Sequence, residues 1–222
     1  MISGGLFVSF EGAEGAGKTT QIVGVVRALR GEGRAVLTVR EPGGTSLSEA
    51  IRALLLGPDG PPIEPWSELL LYVAARAQLV EEVIRPALAR GAVVLADRYV
   101  DASVAYQGGG RRLGAERVRT LNHWATRGLR PDLTILLDLD PRVGLERVRS
   151  ARGADSLDRI EREALEFHRR VRAAYRREAR RSKSRIVLLD ASRPASELAA
   201  EILTAIRGRL VTRRSRPRTG GR

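Results

Sequence analysis

A chain that grips a polyphosphate needs converging backbone N–H groups, one cation and a metal-holding hydroxyl, and one stretch of this sequence supplies all three. Gly12-Ala13-Glu14-Gly15-Ala16-Gly17-Lys18-Thr19 fits the phosphate-loop pattern G-x-x-x-x-G-K-[ST] at every fixed position. The glycines let successive N–H groups point at one anion, and a following helix adds its positive end. Lys18 can then reach the outer phosphates, and the Thr19 hydroxyl can ligate Mg²⁺. The alternative is a glycine-rich turn that merely joins a strand to a helix. Composition argues against it: of 39 Lys and Arg residues, Lys stands only at 18 and 183. A compact ammonium where the chain otherwise writes Arg points to a phosphate partner.

Two other polar groups have the right types for such a site. Asp97-Arg98-Tyr99 closes an apolar run. A carboxylate there holds Mg²⁺ or caps the next turn, while Arg98 suggests a second anion gripped bidentately. Tyr72 and Arg76 are four apart, which on a helix places them on one face. They form either a ring and donor for a planar base or a core aromatic beside a surface arginine.

These residues need elements to position them. Leu6, Phe7, Val8 and Phe10 form a β-prone run, and Ile22, Val25, Val26 and Leu29 follow at helical spacing. Further strands are expected at 35–39, 92–96, 133–137 and 186–189. Between them, Ser46 and Glu49 form a capping-box pair for one helix. A long helix from Glu68 to Arg90 is kinked at Pro86 or begins a new turn there. Residues 107–110 read as a second glycine loop, and Asp140-Pro141 starts a further helix. Arg149–Ser156 reads as a mobile arginine-rich loop, Asp158 and Glu161 cap a basic helix to Arg181, and Pro194–Ile206 forms the last helix. Strands alternating with helices predict an α/β fold: a phosphate-loop NTPase with a five-stranded parallel sheet flanked by helices. Ligands then sit at the carboxyl ends of the strands, where the phosphate loop, the Arg40–Thr45 loop and Asp97-Arg98-Tyr99 would share one crevice.

Composition narrows the classes. At 222 residues with 43% hydrophobic content the chain suits one soluble domain over 1–210, followed by VTRRSRPRTGGR at 211–222, a basic segment read as a disordered tail. No cysteine is present, so thiolate chemistry and disulfides are excluded. With no apolar run of membrane-spanning length and no signal-peptide pattern, a cytoplasmic location is expected and a membrane partner is not. The net charge of +13 raises nucleic acid as a partner. Its arginines cluster outside the tail in 142–185, where they suit a polyphosphate substrate equally.

The order of the phosphate loop EGAEGAGKTT, REPGGT at 40–45, YVAARAQ at 72–78, DRY at 97–99, AYQGGG at 105–110, RPDLTILLDLDP at 130–141 and LDRIE at 157–161 resembles bacterial thymidylate kinase. The resemblance runs from about Leu6 to Leu210, and REPGGT, DRY and AYQGGG together are far more specific than the phosphate loop. It implies phosphoryl transfer from ATP to dTMP, with Mg²⁺, in a homodimer. Residues Gly12 to Thr19 and Thr20 would bind ATP, with Thr19 and Asp97 at the metal. Glu14 would face the 3′-hydroxyl of dTMP, and Arg98 and Arg52 would hold its phosphate. Arg76 and Gln107 would contact the thymine edge, Tyr106 would crowd the sugar's 2′ position, and Ser103 would join them in the acceptor pocket. Tyr72 stands where relatives commonly carry a stacking Phe. Some relatives place an arginine inside the phosphate loop. Here the loop reads Ala-Glu-Gly-Ala, so the catalytic arginine is expected from a lid at about 149–157, with Arg149 and Arg152 as candidates. Two rivals remain: a kinase of the same architecture acting on another nucleotide or small metabolite, and a nucleic-acid-stimulated NTPase. A substrate panel separates the first, and steeply salt-dependent stimulation by nucleic acid would mark the second.

Overall fold

The computed structural model describes residues 5–57, 60–153 and 157–214. Its sheet is built from β1 (Leu6–Glu11), β2 (Val36–Arg40), β3 (Val93–Asp97), β4 (Leu133–Asp138) and β5 (Ile186–Asp190), in the order β2-β3-β1-β4-β5 with every pairing parallel. All six residues of β1 are buried because helices cover both faces of the central strand. Leu6, Val8 and Phe10 face one core with Val25, Leu29, Ile202 and Ile206, and Phe7 turns the other way onto Val94, Leu79, Ile84 and Tyr99. The two-residue alternation of a strand therefore splits the interior into two layers.

The helices are α1 (Lys18–Gly31), α2 (Ser46–Leu56), α3 (Pro65–Leu79), α4 (Arg85–Ala89), α5 (Val100–Ser103), α6 (Ala115–Ala125), α7 (Pro141–Arg152), α8 (Leu165–Arg181) and α9 (Ala195–Arg214). Several boundaries differ from the sequence expectation. The cap of α2 is Thr45, one residue before Ser46: its Oγ1 accepts from the Ser48 N–H at 3.1 Å, while Glu49 takes the Gly44 N–H. The expected 68–90 helix starts at Pro65, suited to a first turn that needs no N–H. It widens into a π-turn at Val80–Ile84 before Pro86, which accommodates the missing donor without a break.

The expected glycine loop at 107–110 lies instead within a π-helical segment, Val104–Gly110. Its glycines serve close approach to α8: a Cβ on Gly109 would stand 2.5 Å from the Ala174 Cβ, and one on Gly110 would stand 2.6 Å from the Phe167 ring. Asp158 caps a short turn, accepting from the N–H groups of Ile160 and Glu161, and α8 begins later, at Leu165. Finally, α9 runs to Arg214, so 211–214 continue a helix where a disordered tail was expected; 215–222 lie outside the described residues.

Candidate active site

Gly17 ends the phosphate loop at φ 88°, a left-handed turn that glycine adopts without strain, and α1 begins at the next residue. The first N–H groups of that helix have no partner within the helix, which makes its start an anion site. The loop is held from above by α7. A Cβ on Gly15 would stand 2.2 Å from the Gly144 carbonyl oxygen, and one on Gly144 equally close to the Glu14 carbonyl. Those two glycines let α7 seat directly on the loop.

A cleft of about 920 Å³ opens at the carboxyl ends of the strands. It gathers most of the residues expected there: Glu14 to Thr20 of the loop, then Arg52, Tyr72, Arg76, Asp97, Arg98, Ser103, Tyr106, Gln107 and Arg152. Gly12 and Ala13 lie behind it and act through their carbonyls, which accept from Lys18 Nζ at 3.2 and 3.0 Å. Burial and the neighbouring Arg98 cation push the Lys18 ammonium down to about 8, against the opposing pull of Asp97, Glu14 and Glu11. Thr19 Oγ1 lies 3.4 Å from Asp97 Oδ2. A hydroxyl and a carboxylate oxygen are hard donors of the kind Mg²⁺ takes, so this pair fits that ion.

Opposite the loop, Arg98 occupies the left-handed region at φ 71°, a conformation a non-glycine residue holds only at a cost. Its side chain donates to Gly12 O at 2.8 Å and to Glu14 Oε1 at 3.1 Å, with its guanidinium 4.9 Å from the centre of the Tyr106 ring. Tyr106 also gives its hydroxyl hydrogen to Glu14 Oε1, at 2.5 Å. Burial alone would raise the Glu14 carboxyl, but the nearby His168, Arg98 and Lys18 outweigh it and hold the group well below the usual carboxylate range. Arg52 donates to Pro42 O at 2.8 Å; burial, then the Arg40 charge, lowers its pKa.

Arg76 is 1% exposed. Its fork gives Nε to Glu41 at 2.7 Å, Nη1 to Ser103 and Asn122, and Nη2 to the Tyr99 carbonyl and Glu41. Every N–H of the guanidinium is engaged by protein, so a base edge at this point would share a donor already in use. The amide nitrogen of Gln107 donates to Glu68 at 2.8 Å.

The lid expectation changes most. Arg149 and Arg152 are on the last turn of α7 instead of a loop, because the helical pattern set by Leu145 and Val148 continues to Arg152. Arg152 lines the cleft and pairs with Glu161 at 3.2 Å, whereas Arg149 is exposed and stays out of it. Residues 154–156 of the expected lid lie outside the described residues.

Sequence reading missed three contributors. Arg147 lines the cleft five residues before Arg152 and donates to Gly15 O at 3.3 Å. Glu41 is the buried counter-charge of Arg76. Glu11 accepts from Ser9, from the Tyr99 N–H and from the Tyr175 hydroxyl beneath the loop. Glu41 stood within REPGGT and Glu11 at the head of the phosphate-loop motif. Nothing in sequence spacing pairs either with its partner, 35 and 164 residues away.

The family model described as Thymidylate kinase matches residues 10–202. The chain belongs to the thymidylate kinase family. It is 51% identical to the thymidylate kinase of Deinococcus radiodurans over 92% of this chain and 98% of that protein. With the Leifsonia xyli thymidylate kinase it shares 53% identity over 93% of this chain and 96% of the other. Among solved structures, the crystal structure of thymidylate kinase from Ehrlichia chaffeensis superposes with a TM-score of 0.71 at 28% identity, covering 91% of this chain and 99% of that one. In this family setting the phosphate loop, the DRY turn and the AYQGGG segment are parts of one cleft, brought together at Glu14.

Proposed function

We propose a division of labour within this cleft for the reaction of the family: the chain transfers the γ-phosphoryl group of ATP to dTMP, giving dTDP. The observation that carries it is the convergence at Glu14, a phosphate-loop carboxylate tied to both Arg98 and Tyr106. That joins a donor loop to an acceptor pocket, an arrangement a simple NTPase does not need.

On this reading Gly12 to Thr20 cradle the ATP phosphates, with Lys18 beside the transferring group. Arg98 and Arg52 hold the acceptor phosphate, so that its oxygen attacks the γ-phosphorus in line as the bond to the β-phosphate oxygen breaks. Tyr72 stacks on thymine, Arg76, Ser103 and Gln107 form the wall around its edge, and Tyr106 narrows the space at the sugar's 2′ carbon. Glu14 faces the 3′-hydroxyl. Thr19 and Asp97 would hold Mg²⁺, which when bound supplies positive charge at the donor phosphates. Arg152 enters from α7 to neutralise charge on the transferring phosphoryl group, and Arg149 plays no direct part. There is little covalent work; orientation and preplaced charge lower the barrier.

The homodimer belongs to the same reading. Exposed Leu47, Leu54, Trp66, Leu70 and Trp124 lie on α2, α3 and α6, and α3 packs against both of the others, a broad apolar surface suited to a second copy. Among the described residues no helix is long and apolar enough to cross a membrane. We place the enzyme in the cytoplasm, as a single kinase domain.

A coupled assay of ADP release across the common nucleoside monophosphates tests the core of this reading. With MgATP, dTMP is expected to be the best acceptor. More efficient turnover of a purine monophosphate or a non-nucleotide would overturn it.

A further inference from the structure

One buried titratable side chain beside the cleft has no part in the reaction just described. His168, on the first turn of α8, is 0% exposed, and neither ring nitrogen makes a hydrogen bond. Its Nδ1 lies 3.2 Å from Glu14 Oε2, the oxygen that Tyr106 and Arg98 leave untouched. Oε2 is likewise without an aligned hydrogen bond. Burying an imidazole with both nitrogens unpaired is costly, so its position calls for a partner, and Glu14 is the one within reach.

The surrounding geometry gives that pairing a direction. Glu14 lines the cleft while His168 does not, so the ring stands behind the carboxylate. Seven residues along the same helix, Tyr175 gives its hydroxyl hydrogen to Glu11 Oε2 at 2.9 Å. Residues two turns apart share a face. One face of α8 therefore addresses both carboxylates that flank the start of the phosphate loop, Glu11 and Glu14. The Phe167 ring, edge-on to both His168 and Tyr106, packs the same corner.

We propose that His168 is a positioning residue for acceptor recognition: it supports Glu14 Oε2 from behind the cleft and turns the carboxylate toward the acceptor's 3′-hydroxyl. The proposal rests on the reading of Glu14 as the partner of that hydroxyl. His168 touches no substrate, and its effect passes through Glu14.

The test compares dTMP with 3′-deoxythymidine monophosphate in wild type, His168→Leu and His168→Asn. Asn keeps an N–H donor near the position of Nδ1. A hydrogen bond to a charged group supports a discrimination on the order of tenfold. His168→Leu is expected to reduce the wild-type preference for dTMP, in kcat/KM, by about tenfold, mainly through KM for dTMP. Turnover of the deoxy analogue should hardly change, and His168→Asn should restore most of the preference. Wild type lacking any preference would overturn the reading of Glu14 and this proposal with it. A wild-type preference that survives in His168→Leu, or an equal loss on both acceptors, would overturn the proposal and leave Glu14 in place. Should His168→Leu fail to fold, ring ¹⁵N NMR of the full chain serves instead, since the sequence has two histidines. Glu14→Gln is expected to move the His168 ring signals and leave those of His123 unchanged. Unmoved His168 signals would overturn the proposal.

Discussion

The two walls of the cleft are built on opposite terms. On the acceptor side Arg76 is sunk and fully engaged, 1% exposed against Glu41, and Arg98, 21% exposed, is tied to Gly12 and Glu14. On the α7 side Arg152 is 60% exposed, pairs with Glu161, and ends its helix. A group that recognises a substrate gains from being placed beforehand, because its ordering cost is met in folding. A group that neutralises charge arising during transfer must reach a moving phosphoryl group, and an exposed arginine at a helix end keeps that freedom. On the proposed division of labour, this contrast would separate recognition from catalysis within one cavity.

The sharpest way to break this contrast is Arg152→Ala. If the α7 wall carries catalysis, kcat should fall on the order of a thousandfold, as for an arginine finger, with little change in dTMP affinity. Steady-state kinetics beside direct dTMP titration read both. Arg149→Ala, outside the cleft, should change kcat by less than about threefold, within the range of a solvated surface charge. Near-normal kcat in Arg152→Ala would move the charge-neutralising role to Arg147 or Arg98.

Arg76→Leu tests the other wall. It strands the buried Glu41 carboxylate, and breaking such a pair costs about 3–5 kcal/mol. For a chain of this size that corresponds to a fall in Tm on the order of 10 °C by calorimetry. Arg152→Ala should leave Tm within about 2 °C, since exposed ion pairs contribute little. Equal Tm losses in the two variants would erase the distinction.

A smaller effect is expected from Tyr106→Ala, which opens the sugar pocket. Relative turnover of the ribonucleotide counterpart of dTMP should rise about tenfold while total activity falls, a size typical of one steric contact. An unchanged ratio in a competition assay would place sugar selection elsewhere.

The smallest effect concerns Glu11 under the loop. Burial first, then repulsion by Asp101, raises its carboxyl from 4.5 to about 8. A raised acid binds more protons folded than unfolded, so its contribution to stability is fully present below about pH 4.5 and lost as pH rises through about 8. Glu11→Gln removes that dependence. The Tm of the variant minus that of wild type should therefore grow between pH 6 and about pH 8 and level off above it. A flat difference would show that the charged carboxylate is fully compensated by its three donors.

How far the chain could be read in advance depended on the range of the interactions. The phosphate loop, the order of strands and helices, and the gathering of three polar groups at strand ends follow from local pattern and parallel topology, and the sheet carries them as expected. The errors fell where a distant contact overruled a local signal. The run Gly108 to Gly110 read as a loop because glycine usually breaks helices. It is helical because α8 presses so close that no side chain fits. Arg149 to Arg152 read as non-periodic because of their charge, yet they extend α7.

By itself, then, the sequence determined where phosphate can bind and which fold presents it, since both depend on backbone geometry that a few neighbouring residues dictate. Tertiary structure decided which side chains share a charge. Glu41 with Arg76 and Glu11 with Tyr175 are pairs across 35 and 164 residues, and His168 meets Glu14 only because α8 lies against the loop. Whether a buried carboxylate is a burden or a fixed point depends on what surrounds it in space, and no spacing along the chain records that.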